Sequence, residues 1–248
     1  MTQCECRWNL PAHGLSLSYE VVHVWRASLE QPVECNCQLV QTLSHDEMLR
    51  AERFRFERDR RRFIVGRGVL RTILGSYLGV EPSQLRFRYS SYGKPYLAEE
   101  FDPCGLGFNL THSHEMALYA FTCGREIGID LEYIRPLADA REIAARFFSA
   151  RENAALCRLP EYQRLEAFYN CWTRKEAYLK ATGDGLARPL DQFDVSLTPG
   201  EPAKLLRVQG DEQEAARWCL LALTPASGYV AALAVEGRGW RLTRWQYA

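Results

Sequence analysis

Residues 168–186 read FYNCWTRKEAYLKATGDGL. Nothing in the run breaks a helix before Gly183 and Gly185, so one helix is expected to end there. At 3.6 residues per turn, Phe168, Trp172, Glu176 and Lys180 fall along one stripe. The two aromatics argue that the stripe faces the interior, which sets Glu176 among buried neighbours. A buried carboxylate needs a partner or a task. The alternative is an ordinary amphipathic helix with Glu176 and Lys180 as an exposed i,i+4 pair.

Upstream of this helix, residues 126–132 alternate as a strand. Ile127, Ile129 and Leu131 point one way; Gly128, Asp130 and Glu132 point the other. Two carboxylates at i,i+2 on one face repel unless a cation lies between them. Oxygen ligands with few other donors suit Mg²⁺, which keeps waters and recruits substrate phosphates. A solvated strand face is the alternative. Glu152 carries two readings as well. Ser149-Ala150-Arg151-Glu152 fits a capping box at a helix start, and the same carboxylate is a candidate third metal ligand.

The rest of the chain runs twice through helices and then strands. Strands are expected at 19–26, 85–89, 106–111, 117–122, 193–197, 204–208, 218–224 and 229–235, and helices at 138–147, 149–158 and 163–182. Residues 44–62 open a helix with Ser44 and Glu47 as a capping box, and 60–79 continue it. The second cycle begins near residue 125. The expectation is an α+β chain of two similar α/β lobes, 1–122 and 123–248, with the acidic strand in the second.

Composition narrows the function. The 248 residues are 47% hydrophobic and 25% charged with zero net charge, which is globular and gives no basic track for nucleic acid. No run is apolar enough for a bilayer span, and the N-terminus has no signal-peptide pattern. The nine cysteines, including the CxC pairs Cys4/Cys6 and Cys35/Cys37, lack framework or zinc spacing and read as free thiols of a reducing cytoplasm. The arginines between Arg50 and Arg71 suit a compact anion, or a solvated face shared with Glu47, Glu52, Glu57 and Asp59.

Two further segments offer anion contacts. Asn109-Leu110-Thr111-His112 ends a strand at a turn, where a hydroxyl, an imidazole and free backbone N–H groups can hold phosphate oxygens. Thr111 and Asn109 could instead bond locally. Lys94, in Tyr92-Gly93-Lys94-Pro95, is a cation on a rigid turn.

In order, the chain carries YGKP (92–95), FNLTHS (108–113), GIDLE (128–132), RFFSARE (146–152) and WTRKEAYLKATGDGL (172–186). This set resembles the Sfp-type 4′-phosphopantetheinyl transferases over roughly residues 20–235, and is most similar to the cyanobacterial, heterocyst-associated kind. The resemblance implies transfer of 4′-phosphopantetheine from coenzyme A to a serine of an apo acyl- or peptidyl-carrier protein, releasing adenosine 3′,5′-bisphosphate. It also implies a monomer of two similar α/β lobes in pseudo-twofold arrangement, with CoA in the cleft between them; thiols, charge and hydropathy add the expectation of a cytoplasmic protein with no nucleic-acid or membrane partner.

Position by position, the resemblance makes Asp130, Glu132 and Glu152 the magnesium carboxylates. Glu176 becomes the general base, with Glu152 acting through a water as the second candidate, and Lys180 a CoA phosphate contact. Lys94 would lie near the adenosine phosphates, Thr111 and His112 at the pyrophosphate and 3′-phosphate, and Arg50 at a basic CoA position. Thr111 stands where the family usually has Ser. Glu47 occupies a place where a basic residue is usual, leaving Arg55 and Arg62 as substitutes. Met116 and the 138–148 helix, with Arg141 and Arg146, form the candidate carrier-facing patch, unless Phe147 and Phe148 are core. The competing readings are a magnesium-dependent phosphohydrolase and a non-catalytic CoA- or carrier-binding protein.

Overall fold

The computed structural model describes residues 7–11, 15–102, 105–183, 185 and 188–248. Cys4, Cys6 and His13 lie outside the described residues. The first strand, β1 (Val21–Ser28), is followed by α1 (Val33–Thr42), α2 (His45–Glu52) and the long α3 (Glu57–Leu78). Next come β2 (Phe87–Tyr89), β3 (Pro95–Leu97), β4 (Leu106–Ser113) and β5 (Met116–Cys123). The second cycle is β6 (Ile127–Tyr133), α4 (Ala140–Phe147), α5 (Ala150–Arg158) and the long α6 (Glu161–Thr182). It continues through β7 (Phe193–Val195), β8 (Leu205–Val208), α7 (Glu214–Arg217), β9 (Trp218–Leu223), β10 (Tyr229–Glu236) and β11 (Arg241–Gln246).

Strand alternation stacks these elements in four layers. In β1, Trp25 and Ala27 face α3, where they join Val65, Val69 and Leu70; Val22 and Val24 face the opposite way. Those two meet Ile129 and Leu131 of β6 and Ala231 and Leu233 of β10. The far face of β10, with Ala232 and Ala234, packs on Phe168 and Tyr178 of α6. The order is therefore α3, first sheet, second sheet, α6, an α+β sandwich of two helix-on-sheet lobes set back to back. Both lobes use a 22-residue helix closed by a glycine in the left-handed region, Gly79 and Gly183.

The lobes also share a buried charge device. Glu47, third residue of α2, closes a capping box with Ser44 and accepts hydrogen bonds from Arg67 Nε (2.7 Å) and Arg71 Nε (2.6 Å) of α3. Glu152, third residue of α5, closes a capping box with Ser149 and pairs with Lys175 of α6 at 2.8 Å. Arg71 and Lys175 stand at the same depth in their helices, fourteen residues beyond Glu57 and Glu161. Glu47 is thus a structural residue, which is why a base is absent there.

Three expectations change. The helix expected across 44–79 is broken at 53–56: Phe56 is extended, and the bend lets α2 fold back so that Glu47 reaches α3. The second lobe does not keep its C-terminus, because β11 crosses back and pairs in parallel with β1, giving the order β11-β1-β5-β4. The second sheet is β6-β10-β9. Phe148 is core, and Phe147 packs against it. Among the described residues no helix is long and apolar enough to cross a membrane, and cysteines 35, 37, 157, 171 and 219 are free thiols.

Gly128 sets the contact between β6 and α6. A Cβ placed there would collide with the Ala177 carbonyl oxygen and the Ala181 amide, and stand 2.9 Å from Ala181 Cα. These are backbone atoms, which cannot rotate away. Its φ is not positive, so alanine would otherwise be neutral or slightly stabilising through the unfolded chain. Gly128→Ala is therefore expected to destabilise by about 3 kcal/mol or more, at the upper end for overpacking. Denaturant unfolding measures it; an unchanged midpoint would show that α6 is not held this closely.

Candidate active site

Because Gly128 admits α6 onto β6, the next two residues on that face of the strand, Asp130 and Glu132, meet Glu176 and Lys180 one helical turn apart. Lys180 Nζ lies 2.6 Å from Asp130 Oδ1 and 3.3 Å from Thr111 Oγ1, and the Thr111 hydroxyl is 3.2 Å from the same carboxylate oxygen. The ammonium donates to Thr111, so the single hydroxyl hydrogen is left to donate to Asp130. Asp130 Oδ2 is buried and has no hydrogen-bond partner.

The hydroxyls come from β4, the edge of the first sheet, whose alternation turns Asn109, Thr111 and Ser113 toward β6. Asn109 Oδ1 accepts from the Ile129 amide at 3.0 Å. Ser113 Oγ accepts from the Tyr133 amide at 3.1 Å and donates to Glu132 Oε2 at 3.0 Å. These side chains join two sheets that share no ladder and cover the open edge of β6.

Burial first, and neighbouring charge second, set the electrostatics. Burial and the Asp130 charge push the Glu132 carboxyl above its ordinary range. Burial, then Asp130 and Glu132, push Glu176 the same way against the pull of Lys180. Partial burial of the ring, then the charges of Lys180 and Arg62, lower the His112 imidazole from its ordinary value, although the residue as a whole is exposed. Burial lowers Lys94, whose ammonium bonds the Ala181 carbonyl (3.2 Å) and Glu126 (3.3 Å). A cleft of about 300 Å³ opens here, lined by Tyr92, Lys94, Asn109, Glu176, Leu179 and Lys180 among others.

The structure thus brings together Asp130, Glu132, Glu176, Lys180 and Thr111, with Lys94, Asn109 and His112 around them. It does not bring Glu152 there. Both Glu152 oxygens are engaged elsewhere: Oε1 by the Val195 amide (2.7 Å), Oε2 by the Ser149 amide (2.8 Å) and Lys175. Lys175 and Lys180 are five residues apart, about 140° around the helix, so the Glu152 pair faces away from the strand carboxylates. The cap reading of Glu152 describes its place, and its expected role as metal ligand or water-assisted base is corrected. Arg50 lies over the Phe63 ring in a separate surface hollow with Asp46, Arg53 and Phe54. The arginine whose charge reaches His112 is Arg62.

The helix stripe is also corrected. Trp172, Glu176 and Lys180 are half-buried, whereas Thr173, Arg174, Lys175, Ala177, Tyr178 and Leu179 are buried. Phe168, at the start of the stripe, is core as expected, and only its continuation through Trp172, Glu176 and Lys180 is the open side of the helix. Ser113 is the site residue that sequence reading missed; the alternation Asn109, Thr111, Ser113 opposite Asp130 and Glu132 was the available signal. Among the described residues no three His, Cys, Asp or Glu side chains form a ready metal cage.

The profile of the 4′-phosphopantetheinyl transferase superfamily matches residues 126–234, and that of the 4′-phosphopantetheinyl transferase N-terminal family matches residues 24–123. The chain belongs to the 4′-phosphopantetheinyl transferase superfamily. It is 50% identical over 240 residues to the 4′-phosphopantetheinyl transferase HetI of Nostoc sp., covering 97% of this chain and 98% of that one. It is 36% identical to a putative 4′-phosphopantetheinyl transferase of Synechocystis sp. (68% of each chain) and 32% identical to Sfp of Bacillus subtilis (66% of this chain, 70% of that one).

Two outcomes follow from the charge placement. Glu152→Gln sets an amide NH₂ against a buried donor in either orientation and leaves Lys175, fully buried, without its counter-charge. A loss of about 3–5 kcal/mol in unfolding free energy is expected; a melt within error of wild type would return Glu152 to a functional role. Glu176 behaves oppositely. Its raised pKa contributes stability that is fully present below the unfolded value and lost as pH rises through the folded one. Glu176→Gln, uncharged throughout, is expected to melt above wild type at pH 7 in chelator, with the gap closing as pH falls toward 4. A lower melting temperature at pH 7 would show that the carboxylate is not under repulsion.

Proposed function

We infer that this protein transfers the 4′-phosphopantetheine group of coenzyme A to a serine hydroxyl of an apo acyl- or peptidyl-carrier protein, with adenosine 3′,5′-bisphosphate as second product. The observation that carries the reading is the buried, unpartnered Asp130 Oδ2 beside Lys180, next to Glu132 and Glu176, both pushed upward by burial and then by the Asp130 charge. A cation fits such a place. Mg²⁺ favours one or two carboxylates completed by waters and substrate phosphates over an all-protein cage. Asp130 and Glu132 would hold it, and when bound it offsets the charge that builds on the pyrophosphate.

The chain's own residues supply the rest. Phosphoryl transfer needs positioning and charge more than covalent chemistry. Lys180 and Lys94 present positive charge at the cleft for CoA phosphates, and Thr111 orients Lys180 through its hydroxyl. His112 can donate a ring N–H to a phosphate oxygen. The serine oxygen attacks the β-phosphorus, the bond to the leaving adenosine phosphate breaks, and the serine proton passes to the Glu176 carboxylate. A carboxyl with a raised pKa suits that task. The reading includes a monomer acting in the cytoplasm.

Incubation with CoA, Mg²⁺ and a panel of apo-carriers, read by intact mass, tests the reaction. A mass gain equal to phosphopantetheine on one carrier is the expected result. No gain on any carrier, with phosphate released from CoA, would support the phosphohydrolase reading instead.

Glu176 and Lys180 are separable. Glu176→Gln is expected to lower kcat by about two to four orders of magnitude, the usual range for a general base, with CoA affinity little changed. Lys180→Ala is expected to weaken CoA binding, and the deficit to shrink as added salt screens the wild-type contact. Calorimetric CoA titration beside single-turnover transfer distinguishes them. A Glu176→Gln protein with weakened CoA binding and an intact chemical step would make Glu176 a binding residue.

A further inference from the structure

We infer that Ser113 is a positioning residue for Glu132: its hydroxyl, fixed as a donor, holds one carboxylate oxygen and so aims the carboxylate at the cation site. The inference rests on the proposed reading, in which Glu132 holds magnesium. A serine hydroxyl has one hydrogen. The Tyr133 amide donates to Ser113 Oγ at 3.1 Å, so the hydrogen is left for Glu132 Oε2 at 3.0 Å. The amide that sets this direction belongs to the residue next to Glu132, so donor and carboxylate move as one unit.

The two strand carboxylates are not held alike. Asp130 Oδ1 is gripped by both Thr111 and Lys180. Glu132 has a longer side chain and is half-buried, and Ser113 supplies its side-chain hydrogen bond. The hairpin end that carries Ser113 is itself fixed. His114, at φ 53°, stacks on Tyr133 at 4.7 Å between ring centres, and Tyr133 meets Tyr229 edge-on at 5.0 Å. The Glu115 amide donates to the Tyr229 hydroxyl at 3.3 Å. A clamp on the residues beyond Ser113 leaves its hydroxyl little freedom. Partners that orient a ligating carboxylate govern metal affinity as well as activity.

A residue that only sealed the β6 edge would change stability and leave metal affinity alone, so the test reads metal binding without turnover. Mn²⁺ serves as the probe, titrated into the full chain with adenosine 3′,5′-bisphosphate and no carrier, free ion being followed by its paramagnetic resonance. Wild type is expected to bind saturably, Ser113→Ala about 10–100-fold more weakly, and Ser113→Thr, which keeps the hydroxyl, close to wild type. If Ser113→Ala does not fold, Ser113→Cys takes its place, since a thiol of similar shape is a weak donor and is expected to show the same weakening. Alanine or cysteine variants that bind Mn²⁺ as tightly as wild type would overturn the role of Ser113 alone. Absence of saturable binding by wild type would overturn it together with the magnesium assignment, while transfer to a carrier in the mass assay would still stand on its own result.

Discussion

The close approach of α6 to β6 is the contact on which the site depends. It requires a position on the strand without a side chain, and Gly128 provides it. With the helix seated there, the face that begins at Gly128 continues through Asp130 and Glu132, and the helix turn above carries Glu176 and Lys180. No loop delivers these four groups. A helix and a strand carry them, and their spacing follows from 3.6 residues per turn above a period of two. Rigid elements suit a reaction whose catalysis is mostly placement of charge.

A second constraint appears in both lobes. Each long helix is tied to the short helix before it by a buried glutamate that is also the third residue of a capping box: Glu47 to Arg67 and Arg71, Glu152 to Lys175. Lys175 completes its shell with the carbonyls of Leu190 (2.7 Å) and Phe193 (2.5 Å), so its three N–H groups have three acceptors. A buried ion pair adds little net stability, but one that satisfies all its donors fixes the rotation of the helix that carries it. In α6 that rotation faces Glu176 toward the cleft. In α3 the positions one and five residues beyond Arg71 are Thr72 and Ser76, so the first lobe repeats the tie without the acid and base.

This correspondence explains which parts of the protein were legible in the sequence. Strand alternation at Ile127–Glu132 and the glycine stop at Gly183 are local signals, and both describe the structure. The same locality gave the Ser44 and Ser149 caps. Glu152 went astray because a capping carboxylate and a metal carboxylate look alike in a line of letters; the choice depends on Lys175 and Val195, which lie 23 and 43 residues away. The stripe on α6 was read correctly at Phe168 and too far inward beyond it, for another reason. Periodicity assumes that polar residues face water, whereas Thr173, Arg174 and Lys175 are polar and buried with partners inside the protein. The return of β11 to β1 is a pairing across more than two hundred residues, beyond the reach of any local pattern.

Ser113 and Thr111 show how hydroxyl donors keep a cluster of acids in one place. Each hydroxyl receives an N–H, from Tyr133 or Lys180, and is thereby committed to donating to a carboxylate. A hydrogen bond to the charged form favours it and opposes the upward push of burial and like charge. At Glu132 the opposition is incomplete, since the carboxyl remains shifted upward, and Glu176, to which neither hydroxyl donates, is shifted the same way. The residual repulsion, with one Asp130 oxygen left bare, is a local cost that the four-layer core sustains. On the proposed reading a divalent cation would relieve this cost, because the ion that offsets the acids would also bind the phosphates they otherwise repel.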